Sequence, residues 1–236
     1  MDLSELHYFP VAWPFLLLLI GLLGLVAAVV AVRIVTYASS QMGIGPRTML
    51  GLLLLSLLGS YVNIPVAHEP AHTVAMSATV SFFGIRYLVP VLHRFPATVL
   101  AVNVGGALVP VLVSFYLLMK TRQFGLSLVG TGIVAIVCYY LSWPVPGIGI
   151  AIPIVVPALV TALVALSLSR RYAGPLAYIC GSLGTLIGAD LMNLAKVPEF
   201  GAPVASIGGA GTFDGIFLTG LTAVVCASLV SHRSGP

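Results

Sequence analysis

The chain has 236 residues, 59% of them hydrophobic and only 7% Asp, Glu, Lys or Arg. An ordinary soluble domain carries roughly 25% charged residues. So dry a composition, at a mean hydropathy of +1.13, excludes a soluble globular enzyme, a disordered chain and a nucleic-acid-binding domain.

Continuous apolar runs, rather than the alternation of a barrel strand, predict an all-α membrane protein. A bilayer-spanning helix needs about 20 predominantly apolar residues. Seven such spans can be drawn, at about 11–32, 47–62, 97–119, 124–141, 149–168, 175–195 and 213–231. They form a single polytopic transmembrane domain over residues 1–236, with an outer loop at 63–96.

Before the first span come Asp2 and Glu5 rather than a basic leader, so no cleavable signal is expected. Basic residues set the orientation. With the N-terminus outside and the C-terminus inside, the inner segments hold Arg33, Arg47, Lys120, Arg122, Arg170, Arg171 and Arg233. The outer segments hold Arg86, Arg94 and Lys196 beside Asp2, Glu5, Glu69 and Glu199. Positive charge accumulates on the cytoplasmic side of membrane proteins.

The outer loop opens on His68-Glu69-Pro70-Ala71-His72, which matches the H-E-x-x-H zinc pattern. That pattern works only on a helix, and Pro65 and Pro70 argue for a loop. His68 and His72, with His93, are therefore weak metal candidates, and no cofactor is expected. Further on, Thr79 to Pro90 is rich in β-branched and aromatic residues around Gly84, which reads as a β-hairpin. An interfacial segment is the other reading of the same residues.

Asn63 and Asn103 sit near the outer ends of spans two and three. They either line an outward-facing polar cavity or cap helices and bond to loop backbone. Gly105-Gly106 before Pro110, and the stretch Pro146 to Pro153, point to broken helices. Cys138, Cys180 and Cys226 lie inside apolar runs without metal or disulfide spacing, as small buried hydrophobes do.

Two acids fall within spans: Asp190 in the sixth and Asp214 at the start of the seventh. An ionisable residue there is expensive and marks a functional site by default. The two helices are antiparallel neighbours joined by a Gly/Pro-rich connection, so both carboxyls belong to one depth in the outer leaflet. Asp190 and Asn193 are three apart and share a helical face. The run 208–211, with Gly209 and Gly211, allows close backbone approach and precedes a helix N-terminus. Two close carboxyls hold one proton between them, and such a dyad can activate a water. The same acids with Asn193 are also suited to binding a small cation or carrying a proton. The third reading is structural: Asp214 caps its helix and Asp190 bonds to loop backbone. A retinal protein is excluded, because span seven contains no Lys.

Residues 208–221, GGAGTFDGIFLTGL, resemble the Gly-x-Gly-Asp motif that opens a catalytic helix in presenilin and signal-peptide-peptidase type intramembrane aspartyl proteases. That resemblance implies Asp190 and Asp214 as catalytic residues and a membrane-embedded peptide as substrate. It covers roughly 50 residues. Thr212 and Phe213 separate Gly211 from Asp214, and Pro157-Ala158-Leu159 precedes the pair instead of following it. The whole chain, through Gly59-Ser60-Tyr61-Val62-Asn63-Ile64-Pro65 and Asn103-Val104-Gly105-Gly106, resembles a prokaryotic family of polytopic membrane proteins of unknown function. This implies location in the prokaryotic inner membrane; the lipid bilayer as partner and no nucleic acid follow from the composition.

Overall fold

Nothing in the first apolar run breaks a helix until Gly43, so α1 runs from Trp13 to Met42, ten residues past the expected end. It stops where Gly43 takes φ +65°, and Ile44 N donates to Ser39 O. Pro46, with its fixed φ and missing N–H, opens α2 (Pro46–Gly59). The computed structural model describes residues 13–83, 85–95, 97–145, 149–153, 155–200, 202–209 and 215–232.

After α2 the chain enters β1 (Asn63–Glu69), then a hairpin of β2 (His72–Phe82) and β3 (Ile85–Phe95), then β4 (Thr98–Asn103). The hairpin is therefore twice the expected length, and Phe83 takes φ 49° in its turn. The third span does not begin as a helix at 97. Thr98, Val99 and Val102 favour extended backbone, and β4 finds partners on both sides. It pairs antiparallel with β1 and parallel with β7 (Val204–Ile207). The helix begins after Asn103 as a π-helical turn at Val104–Leu108 and continues as α3 (Val109–Thr121).

A tight connection leads to α4 (Phe124–Leu141). Next comes a small hairpin of β5 (Trp143–Val145) and β6 (Gly149–Ala151), and then α5 (Val155–Leu168). The fifth span thus starts six residues later than expected. Pro153 keeps Ile152 before it out of the helical region, which delays the helix. The next helix changes its winding twice. It is α-helical as α6 (Ala173–Thr185), π-helical at Leu186–Asp190 and 3₁₀-wound at Leu191–Phe200. The last is α7 (Gly215–His232).

The helix α6 is the hub. Residues Ala173 to Ser182 are buried on every side, with α3, α4, α5 and α7 packed around them. Glycines make the approach possible. A Cβ on Gly184 would lie 2.6 Å from Val134 Cγ1, and one on Gly188 would lie 2.1 Å from Ala135 O. Small residues let helix backbones meet where lipid offers no hydrophobic drive.

The exterior is apolar. Residues 13–34 of α1 are exposed, apart from half-buried Leu16, and the helix joins the bundle only from Val35 onward. Among the described residues, four helices are long and apolar enough to cross a membrane: Trp13–Met42, Val104–Thr121, Phe124–Leu141 and Ala173–Val197. The 14-residue α2 and α5 reach about 21 Å, short of a hydrocarbon core of about 30 Å.

Candidate functional site

The polar side chains gather where the three-stranded sheet meets the ends of the helices. Asn63 and Asn103 are cross-strand partners on β1 and β4. Asn103 is 2% exposed and fully engaged. Its Nδ2 donates to Ser60 O at 2.8 Å and to Asn63 Oδ1 at 3.0 Å. Its Oδ1 accepts from Gly106 N at 2.8 Å, capping the π-helical turn. Ser206 on β7 donates to the same Asn63 Oδ1 at 2.5 Å. Of the two expected roles, Asn103 takes the capping one. Exposed Asn63, on edge strand β1, thus links its neighbour β4 and, beyond it, β7.

Replacing Asn103 with Ala should leave the buried Gly106 N–H and the half-buried Ser60 C=O without these partners. A lost partner of this kind costs about 1–3 kcal/mol. We expect a clear fall in the melting temperature of the purified protein, and a smaller one for Asn63→Ala. Equal melting of Asn103→Ala and wild type would show that this cap contributes nothing.

One residue past β7, Gly208 takes φ +78°, and a Cβ there would lie 2.6 Å from Ala107 N. That turn aims Gly208 N at Asp190 Oδ2, 2.6 Å away. Asp190 closes the π-helical turn of the hub helix. The other π-helical turn lies alongside it, because Ala107, Leu186 and Ile216 form one buried cluster. The half-buried carboxylate therefore sits where two distorted helices, a strand end and the start of α7 converge. Gly209 continues the turn, donating to Ser206 O at 3.1 Å. Gly211 and Asp214 lie outside the described residues.

Asn193 does not join Asp190. Its Nδ2 donates to Ser142 Oγ, Ala189 O and Gly188 O at 3.0, 2.9 and 3.1 Å. Its Oδ1 accepts from Lys196 Nζ at 2.7 Å, and that ammonium lies 5.1 Å from the centre of the Tyr139 ring. The amide thus bonds back to its own helix and across to Ser142, just past the end of α4. The amide oxygen therefore already faces one positive charge, the Lys196 ammonium.

Sequence reasoning missed Ser60, Ser142, Ser206 and Lys196. Lys196 follows Asn193 by three residues, so helical spacing could have found it. Ser206 is brought in by a parallel strand distant in sequence, which no local pattern announces.

His68 stands near the end of β1 and His72 opens β2. The two are not one turn apart on a helix, so the zinc-protease reading of H-E-x-x-H loses its premise. Among the described residues no group of three His, Cys, Asp or Glu is placed to hold a metal.

Apolar helices around a buried hub, interrupted where an acid is held, define a helical membrane protein with a polar junction at one end of its bundle. Residues 57–226 match the family described as protein of unknown function, DUF1614. The chain belongs to that family. No curated protein and no solved structure matches it.

Proposed function

We propose that the protein is a seven-span membrane hydrolase of the aspartyl type, with Asp190 and Asp214 as its acid pair. The reading takes 1–236 as one domain in a prokaryotic inner membrane, with the N-terminus outside and the site opening outward. It rests on one observation. Ile216, two residues beyond Asp214, packs with Leu186, which lies four residues before Asp190.

The chemistry needs two carboxyls and a water. One carboxylate takes a proton from the water as its oxygen attacks the peptide carbonyl carbon. The protonated partner donates to the departing amine, and the pair then exchanges the proton. Gly208 N holds Asp190 in place for this through its bond to Oδ2.

Proximity is tested without knowing a substrate. Cysteines at positions 190 and 214, in a chain with Cys138, Cys180 and Cys226 changed to Ala, should cross-link through a short thiol reagent. A disulfide itself needs Cα atoms within about 7 Å. Failure of every short reagent to link them would overturn the pair.

A second reading, proton-coupled transport, is favoured by the two π-helical turns beside Asp190. Discontinuous helices at membrane depth are where transporters bind their ions. Reconstituted vesicles would then show proton flux that Asp190→Asn abolishes, with no peptide cleaved.

A further inference from the structure

Among the described residues, the hairpin β2–β3 is the long element whose two strands pack chiefly on each other. Its register sorts the residues by face. On one face, Val74, Met76, Val80 and Phe82 of β2 stand opposite His93, Val91, Tyr87 and Ile85 of β3. On the other, Thr73 and Ser81 stand opposite Arg94 and Arg86, and Thr79 and Ser77 opposite Leu88 and Pro90. One side of this arm is thus apolar but for His93, while the other mixes hydroxyls and guanidinium groups with Ala75, Leu88, Pro90 and Leu92. On the apolar side Ile85 is 58% exposed, Tyr87 48% and Val89 40%; Leu88 on the other side is exposed too. An isolated two-stranded hairpin is at best marginally stable in water, so this face needs a cover.

We propose that the cover is the lipid surface. The hairpin lies on the bilayer beside the bundle, its apolar face in the headgroup–acyl boundary and Arg86 and Arg94 level with lipid phosphates. Three observations select lipid over a second copy of the chain.

The first is charge. The arm carries two Arg and two His, and no Asp or Glu occurs between Glu69 and Asp190. Two such arms repel one another, whereas basic amphipathic segments are drawn to anionic headgroups. The second is the strand edge. Pro90 has no N–H to give to an added strand, and proline on an edge discourages pairing. The third is position. The arm leaves from β1, which follows α2, and returns through β4, which leads into the π-helical turn and α3. Its root is where apolar helix gives way to sheet, the depth of the membrane surface. Water at that depth satisfies the open strand edges, which the hydrocarbon core would not. Tyr87 is of the kind that anchors membrane proteins at the interface.

The test uses the full chain in vesicles of phosphatidylcholine with phosphatidylglycerol. Photoreactive benzoylphenylalanine is placed at position 80 on the apolar face or at position 79 on the polar one. Position 80 should give lipid adducts in at least about threefold excess over position 79, as expected for a face buried in the acyl boundary. The double variant Arg86→Glu, Arg94→Glu should reduce that excess in the anionic vesicles. Equal lipid labelling at 79 and 80 would overturn the proposal. So would protein–protein adducts in place of lipid at position 80, which would assign the face to a second copy. Native residues on both faces can also be read by alkylation of single cysteines at 85 and 86, should the photoreactive chains not fold. Protection of 85 but not 86 in vesicles is expected, and equal reactivity would again reject the arm.

Discussion

Asp190→Asn and Asp214→Asn should each lower cleavage of a membrane-embedded peptide by about 10²–10⁴-fold, the usual worth of a positioned acid or base. Asparagine keeps the shape of aspartate, and its carbonyl oxygen can still accept the Gly208 N–H that now meets Oδ2 at 2.6 Å. What it loses is proton exchange. The melting temperature of Asp190→Asn should therefore stay near that of wild type. Asp190→Ala should lose both activity and stability, because Gly208 N–H is then left without its acceptor, at a cost of about 1–3 kcal/mol. The pair of variants separates a chemical role from a structural one. If Asp190→Asn and Asp214→Asn both cleave at the wild-type rate, the hydrolase reading is wrong. If neither wild type nor variants cleave, while Asp190→Asn abolishes proton flux into vesicles, the acid belongs to a transport site.

The membrane class was legible because it rests on composition alone. A chain with so few charges has no other way to hide its surface. The hub helix was half legible. Its apolar run and its aspartate were visible, but the change from α to π to 3₁₀ winding was not, because hydrogen-bond register leaves no trace in a hydropathy pattern. The third span shows the same limit from another side. A short apolar run reads equally as helix or strand, and Thr98–Asn103 is a strand because β1 and β7 are there to pair with it. The second partner arrives from residues 204–207 in parallel register, a long-range choice invisible to any local window. The hairpin was legible in kind because β-branched residues crowd that segment. Its length was not, since Val74 and His93 become strand residues only by pairing with each other. At the site, Asp190 was legible from its cost in lipid. Its partner Gly208 was legible only as a flexible residue, and the direction of the Gly208 N–H depends on a positive φ that the sequence permits without requiring.

Gly188→Ala should be among the most damaging single-methyl additions in the bundle. The new Cβ would sit 2.1 Å from Ala135 O and 2.8 Å from its carbonyl carbon. Both are backbone atoms of α4, so no side chain can swing aside, and the helices must part. Adding one methylene to a well-packed core typically costs about 1–3 kcal/mol through flexible neighbours; a rigid neighbour places this change at or beyond the upper end. Gly105→Ala should behave alike, since its Cβ would fall 2.0 Å from Ser56 O at the meeting of α2 with the π-helical turn. Gly132→Ala is the control. That glycine is exposed on α4 with nothing within 4 Å of the added carbon. There alanine should raise stability by about 0.5–1 kcal/mol through helix propensity. Thermal melting of the three variants in one detergent orders them directly, and Gly188→Ala melting with Gly132→Ala would refute the close packing of α4 on the hub. The damage should also reach the acid. Gly188 lies inside the π-helical turn that ends at Asp190, so parting α4 from this turn moves the carboxylate away from Gly208 N. In vesicles held well below the melting range, Gly188→Ala should therefore lose activity beyond its loss of folded protein. Combining it with Asp190→Asn should add little further loss, because both changes remove the same positioned group.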